Sequence, residues 1–143
     1  PLSRPWKAAI MLLPMRRSIV PALVAVILAG CAPSDPLVIR TVQVGRSLNS
    51  DDSIGNHTTT FKPNETIYSA LINDTAGKGT VAVRWVYGGQ TVSEETREVS
   101  YNREGATEFH LQPPSAGFPE GDYRVEFQVD GQPLGAREFR VAK

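Results

Sequence analysis

Val81-Ala82-Val83-Arg84-Trp85-Val86-Tyr87 alternates along its length: Val81, Val83, Trp85 and Tyr87 fall on one side of an extended chain, and Ala82, Arg84 and Val86 on the other. Successive side chains of a strand point to opposite faces, so the stretch predicts a β-strand whose first face supplies a hydrophobic core. Gly88-Gly89 follows at once. Two residues free to adopt positive φ make a tight hairpin turn, which sets the next strand beside this one in the same sheet. Further along, Tyr123, Val125, Phe127 and Val129 alternate with Arg124, Glu126 and Gln128, and Asp130-Gly131 supplies a second tight turn. Phe139 and Val141 then carry the apolar face of a final strand.

Working outward from this centre, period-two stretches predict strands over 37–46, 65–72, 80–87, 90–99, 106–112, 122–129 and 134–142. No helical stripe of useful length follows Cys31, and Gly and Pro punctuate the strands, so the expected class is all-β. Because Gly88-Gly89 holds the fourth strand against the third, a seven-stranded sandwich is expected with three strands (first, second, fifth) facing four (fourth, third, sixth, seventh). The fourth strand carries Glu94, Glu95, Arg97 and Glu98, the composition of an exposed edge that discourages pairing with another chain. An acidic binding surface is the other reading of those residues. The segment from Ser47 to Asn64 is long for a compact domain, and is read as disordered, as carrying a short extra strand near Thr58 to Phe61, or as functional.

Trp85 and Gly121-Asp122-Tyr123 resemble the tryptophan and tyrosine-corner positions of immunoglobulin-like domains. The resemblance implies an immunoglobulin-like or fibronectin type III-like sandwich over 37–143, without the inter-sheet cysteine pair of antibody domains. At the other end of the chain, Arg16-Arg17, the apolar run Ser18 to Gly30 and Leu28-Ala29-Gly30-Cys31 resemble the lipobox of a bacterial lipoprotein signal peptide. That resemblance implies a signal helix over 15–30, cleavage before Cys31, and a diacylglyceryl group on the Cys31 thiol. Residues 1–14 precede Met15 and are expected to be an over-extended start or a fragment. The run of 13 residues falls short of the roughly 20 that span a bilayer as a helix, so it reads as a signal segment rather than a permanent anchor. Residues 31–36 form the lipidated cysteine and a short linker. Ala32 rather than Asp follows Cys31, which by the same resemblance directs the protein to the periplasmic face of the outer membrane. Phe61-Lys62-Pro63, Thr66-Ile67-Tyr68, Arg84-Trp85, Glu108-Phe109-His110 and Pro119-Glu120-Gly121-Asp122-Tyr123 are similar to stretches of small uncharacterised lipoproteins of Gram-negative bacteria, a group that brings no activity with it.

After such a cleavage 113 residues remain, enough for one domain, with 11 Lys and Arg against 15 Asp and Glu, about −4. That balance excludes the basic footprint of a nucleic-acid binder. Cys31 is the only cysteine, so no disulfide can form within the chain. His57 and His110 are the only histidines, with no local ligand spacing, and there is no nucleophile elbow, P-loop or dinucleotide fingerprint. No cofactor, no metal and no catalytic residue are therefore expected, and metal or carbohydrate binding ranks below protein binding. If the strands alternate in direction, the end opposite the tether collects the Ser47 to Asn64 loop, the Gly88-Gly89 turn and the Pro113 to Gly121 loop. His57, Gly88, Gly89 and Phe118 are the candidate contacts there, although an aromatic placed like Phe118 also closes the end of a sandwich core. The expected role is a lipid-anchored, non-catalytic module that binds an envelope protein or supports an envelope complex. The alternative is an inhibitor or immunity-type lipoprotein that blocks a toxin or hydrolase.

Overall fold

A computed structural model of the chain describes residues 35–143. The expected over-extended start (1–14), the signal helix (15–30), the lipidation site Cys31 and the linker up to Ser34 lie outside the described residues. Eight strands follow one another: β1 (Ile39–Gly45), β2 (Thr60–Phe61), β3 (Ile67–Asn73), β4 (Gly77–Tyr87), β5 (Gln90–Tyr101), β6 (Gly105–Leu111), β7 (Gly121–Val129) and β8 (Gln132–Val141). They form two sheets, β1-β3-β6 and β2-β8-β7-β4-β5. All neighbours are antiparallel except β2, which runs parallel to β8.

The seven expected strands are present in the expected partition between sheets, and the strand count is corrected from seven to eight by β2. The reason is Phe61. Its ring is fully buried 5.5 Å from Phe139, edge to face, so the chain is drawn onto the end of β8 and forms a two-residue ladder there. Gly88 and Gly89 adopt φ of 57° and 77°, the left-handed pair that a two-residue hairpin between β4 and β5 requires.

The alternation read in the sequence fills the space between the sheets. Val81, Val83 and Trp85 of β4 and Val125 and Phe127 of β7 are buried, with Trp85 only 2% exposed. Phe139 meets Trp85 edge-on at 6.0 Å and stacks on Tyr123 at 5.5 Å, while Phe109 of the smaller sheet meets Phe127 of the larger one at 6.0 Å. Tyr123 donates its hydroxyl to the Pro119 carbonyl at 2.8 Å, four residues upstream, which fixes the loop entering β7. At the end where β1 begins, buried Asn73 donates to the carbonyls of Thr75 (2.8 Å) and Arg103 (3.0 Å) and so ties two turns together.

The segment after β1 departs from expectation. Rather than projecting from the end of the sandwich, it forms an arm that folds back over the outer face of the smaller sheet. Backbone bonds Arg46 N to Asn56 O (2.9 Å), Gly55 N to Ser47 O (2.8 Å) and Asn49 N to Ser53 O (2.8 Å) build it, and Leu48 bridges Ile54. The driving force is apolar burial. Ala70 and Ile72 of β3 face outward, and Ile54, 3% exposed, covers them with help from Leu48. Gly45 permits the close approach: a Cβ there would lie 2.2 Å from the Asn56 carbonyl oxygen and 2.3 Å from Ile54 Cγ2.

Each open side of the sandwich is crossed by an arginine of the larger sheet. Arg97 of β5 donates to the Glu108 carbonyl of β6 at 3.1 Å and lies 4.5 Å from the centre of the Phe109 ring. Arg137 of β8 donates from Nε to the Val42 carbonyl of β1 at 3.0 Å.

Trp85→Ala is expected to cost about 3–5 kcal/mol by leaving a cavity between the sheets. Denaturant unfolding measures it, and a variant as stable as the natural chain would contradict the placement of Trp85 at the centre of the core.

Candidate functional site

The end of the domain opposite the start of β1 is built by three connections. The Gly88-Gly89 turn projects beyond β4 and β5, with no heavy atom within 4 Å of a Cβ built at either glycine. Beside it the chain from Pro113 to Glu120 is held down. Gly117 N bonds Pro114 O at 2.8 Å, Phe118 N bonds Pro63 O at 2.8 Å, and Tyr87 donates its hydroxyl to Glu120 O at 3.1 Å. The third connection, from Asn56 to Thr66, passes from the edge of the smaller sheet to the edge of the larger one. His57 bridges Gly45 of β1, and three residues later Thr60 pairs with Arg140 of β8.

Arg46 fixes that crossing. Its Nη2 donates to the Thr60 carbonyl at 2.7 Å and its Nε to Glu65 at 3.2 Å, while Glu65 also accepts the Lys62 N–H at 2.7 Å. The Lys62 N–H first and then Arg46 hold the Glu65 carboxyl below its ordinary value, against the opposing effect of partial burial. Away from this end, Asp51 in the arm is held low by the Ser53 hydroxyl and N–H. Burial raises the Tyr101 and Tyr123 phenols. Glu65, Asp51 and Tyr123 bond within the fold, and their environments are those of structural anchors.

Of the candidate contacts, Gly88 and Gly89 lie at an open tip and His57 is exposed. Phe118 is corrected. It is 7% exposed, packs edge-on against Tyr123 at 6.1 Å and closes the core, so its ring offers nothing to a partner. The long loop that was expected to share this end contributes only Asn56 to Asn64, because the arm before it turns away. Cys31 lies outside the described residues.

Two hollows meet at this end. One, of about 490 Å³, lies on the outer face of the larger sheet between Gly88-Gly89 and Thr59-Thr60, floored by Arg124, Glu138 and other polar side chains. Two ion pairs border it, Arg140 with Asp122 at 3.2 Å and Arg124 with Glu126 at 2.6 Å, while Glu138 forms no ion pair among the described residues. The other, of about 520 Å³, runs along the free side of β1 past His57 and Thr58 to Arg137. Thr59 borders both. His57 lies on this second hollow, so the structure brings Gly88 and Gly89 together with Thr59 and Thr60 but leaves His57 around the side.

Among the described residues no three His, Cys, Asp or Glu side chains gather as a metal set. His110 Nδ1 lies 3.1 Å from Glu108 Oε2 on the outer face of β6. His57, Gly45, Tyr68 and His110 occupy one row across the smaller sheet, which sets the two histidines about 14 Å apart, three strand spacings and too far to share an ion. Arg137 is the site residue that the sequence reading passed over. It stands in phase with Phe139 and Val141, and a charge on the apolar face of a strand was the available signal.

No protein-family model and no curated protein sequence matches this chain. Its backbone is similar to that of an immunoglobulin-like protein from Pseudomonas aeruginosa, with a TM-score of 0.50 and 11% identity over 78% of this chain and 100% of the other. The fold is immunoglobulin-like. Parts of two larger proteins are also similar: an alkylpurine DNA glycosylase from Pseudomonas fluorescens (TM-score 0.47, 14% identity, 75% of this chain and 30% of the other) and a β-glucosidase from Listeria innocua (TM-score 0.46, 14% identity, 78% and 16%). The present chain spans less than a third of the length of those two proteins. The likeness is one of fold alone.

The Glu65 geometry fixes a pH dependence. A carboxyl held below its unfolded value of about 4.3 stabilises the fold above that value, and the contribution is lost as pH falls through the lower folded value. Glu65→Gln removes it, so the melting temperature of the natural chain is expected to fall more steeply on acidification than that of the variant. Parallel slopes would contradict the assignment.

Proposed function

We propose that this chain is a lipid-anchored, non-catalytic immunoglobulin-like module of the bacterial cell envelope, facing the periplasm from the outer membrane and binding an envelope protein through the end that carries Gly88-Gly89. The observation that carries the reading is the docking of the chain just past Cys31. Lys78 N bonds Asp35 O at 3.1 Å, Pro36 bridges Lys78, and Leu37 is buried in the core. The domain thus begins at its β1 end, four residues beyond the expected lipid. Ala32-Pro33-Ser34 would reach at most about 11 Å when extended. On a lipidated Cys31 that short tether directs the Gly88-Gly89 end away from the bilayer and towards partners. Thioether attachment of two chains, each buried methylene contributing about 0.8 kcal/mol, suffices for stable anchoring.

The non-catalytic part of the reading is supported by the inventory of polar groups. Glu65 and Asp51, whose carboxyls are held low, bond to backbone or neighbouring side chains within the fold, and both arginines of the hollow beside Gly88-Gly89 are paired as ions.

Crosslinking and mass spectrometry of the protein in its own envelope tests this, alongside Cys31→Ser and a variant with the Gly88-Gly89 turn lengthened. One partner is expected, attached through residues near Thr59, Gly88 and Glu120 and lost in the turn variant, while Cys31→Ser is released from the membrane or left as uncleaved precursor. Crosslinks confined to β5, or a processed membrane-bound Cys31→Ser product, would contradict the reading.

A further inference from the structure

The sandwich has four long strand edges, and three are blocked. On β5, Glu94, Glu95 and Glu98 carry charge along the edge. On β6, Arg97 occupies the Glu108 carbonyl and is itself neutralised by Glu95. On β8, which β2 pairs only at Arg140 and Val141, Pro133 lacks an N–H and Leu134 is inserted as a bulge between the partners of Phe127 and Gln128. The edge of β1 is guarded less firmly: its register shift lies ahead of Thr41, and Arg137, which reaches the Val42 carbonyl, is not neutralised by a carboxylate among the described residues. Thr41-Val42-Gln43-Val44 is uncharged, rich in β-branched residues, free of proline and regular in its pairing with β3.

The antiparallel ladder decides which groups that edge offers. Gln43 and Ala70 stand opposite each other, and alternation turns the N–H and C=O of Val42 and Val44 away from β3. The Val42 carbonyl accepts Arg137 Nε at 3.0 Å, and the Val44 carbonyl accepts the Thr58 N–H at a long 3.4 Å. The Thr58 bond belongs to the single antiparallel bridge between Gly45 and His57, which covers the edge from Val44 onward, so Val42 is where the edge lacks a partner strand.

Arg137 stands in the middle of the crevice between β1 and β8. On one side is the hollow of about 520 Å³ towards His57; on the other is one of about 200 Å³ between Ile39 and Leu134, the latter 38% exposed. Among the described residues Arg137 forms no ion pair, unlike Arg84, Arg97, Arg124 and Arg140. Its Nη2 reaches only Thr41 Oγ1, at 3.5 Å. A guanidinium has five donors in a planar fork suited to a carboxylate, and here they meet neutral oxygens.

We propose that this crevice binds an extended segment of the partner protein by strand addition to β1, with a carboxylate of that segment seated on Arg137. The incoming N–H takes the Val42 carbonyl, and the guanidinium turns from that carbonyl to the carboxylate, exchanging a bond to a neutral oxygen for a charge-assisted pair. An apolar side chain of the segment lies against Leu134 and Ile39. The assignment rests on the binding-module reading and extends it, since Thr59 joins the crevice to the Gly88-Gly89 end and a partner seated there can run a strand down the side.

The test uses the full chain in detergent micelles and two fluorescein-labelled heptapeptides of alternating valine and threonine, one with a central aspartate and one with a central lysine, followed by fluorescence anisotropy. The aspartate peptide is expected to bind saturably and more tightly than the lysine peptide, Arg137→Ala to weaken it by about tenfold or more, and Arg137→Glu to transfer the preference to the lysine peptide. A preference gained by charge reversal cannot come from an unfolded variant. Equal binding of the two peptides, unchanged affinity in Arg137→Ala, or no binding at all would overturn the proposal. Absent peptide binding together with a partner still crosslinked through Gly88-Gly89 would overturn the crevice assignment while leaving the module reading in place.

Discussion

Phe139 is the contact on which the rest of the domain depends. Its ring lies 5.5 Å from Phe61, 6.0 Å from Trp85 and 5.5 Å from Tyr123, so one side chain of the last strand meets β2, β4 and β7 together. Edge-to-face and offset contacts of this kind add about 0.5–1.5 kcal/mol per pair beyond the burial of their area. The cluster also reaches the loops. Tyr123 stacks on Tyr87 at 4.4 Å, and the hydroxyls of both rings hold the 119–120 backbone. Without Phe139 there would be no reason for Phe61 to leave the loop after β1, and the connection that separates the two hollows would have no fixed course.

With the interior filled, the exterior is settled by what must still be covered. The outward face of β3 presents Ala70 and Ile72, too apolar to leave wet, and the chain between β1 and β2 is long enough to lie over them. That arm consumes the segment that looked free to reach a partner. The outer face of the larger sheet solves the same problem with charge: Arg84 lies between Glu94 at 3.7 Å and Glu126 at 3.8 Å, and Arg124 meets Glu126. Exposed pairs of this kind contribute about 0–1 kcal/mol each, so the lattice serves solubility more than stability.

Strand positions and their division between two sheets were legible because period-two alternation at Val81 to Tyr87 and Tyr123 to Val129, with two glycine-bearing turns, constrains both register and neighbour. The arm was not legible. Ile54 stands alone among polar residues from Asn49 to Thr60, and a single apolar residue has no period to read; its partners became visible only when Ala70 and Ile72 were seen to face outward. A short strand near Phe61 was one reading of the same segment, but two residues are too few to show a period, so the sequence could not separate it from a disordered loop. Of the site, the Gly88-Gly89 tip follows from the hairpin alone. Phe118 could be read either way, since an aromatic between Gly117 and Pro119 suits an exposed loop and a core plug equally, and the Pro63 carbonyl that anchors it is 55 residues away in sequence. Arg137 was passed over because the edge it guards exists only once β1 and β8 are brought face to face.

These constraints leave the Thr41 to Val44 run of β1 as the least guarded long edge among the described residues, next to the end proposed to meet a partner. Residue-resolved amide hydrogen exchange on the full chain tests that most directly. Gln43, whose N–H points into β3, should exchange slowly, as should Leu71 and Val83 in the sheet interiors, while Val42, whose N–H points outward, should exchange quickly. Protection of Val42 equal to that of Gln43 and Leu71 would contradict the account, because it would mean that the edge of β1 is already covered in the free protein.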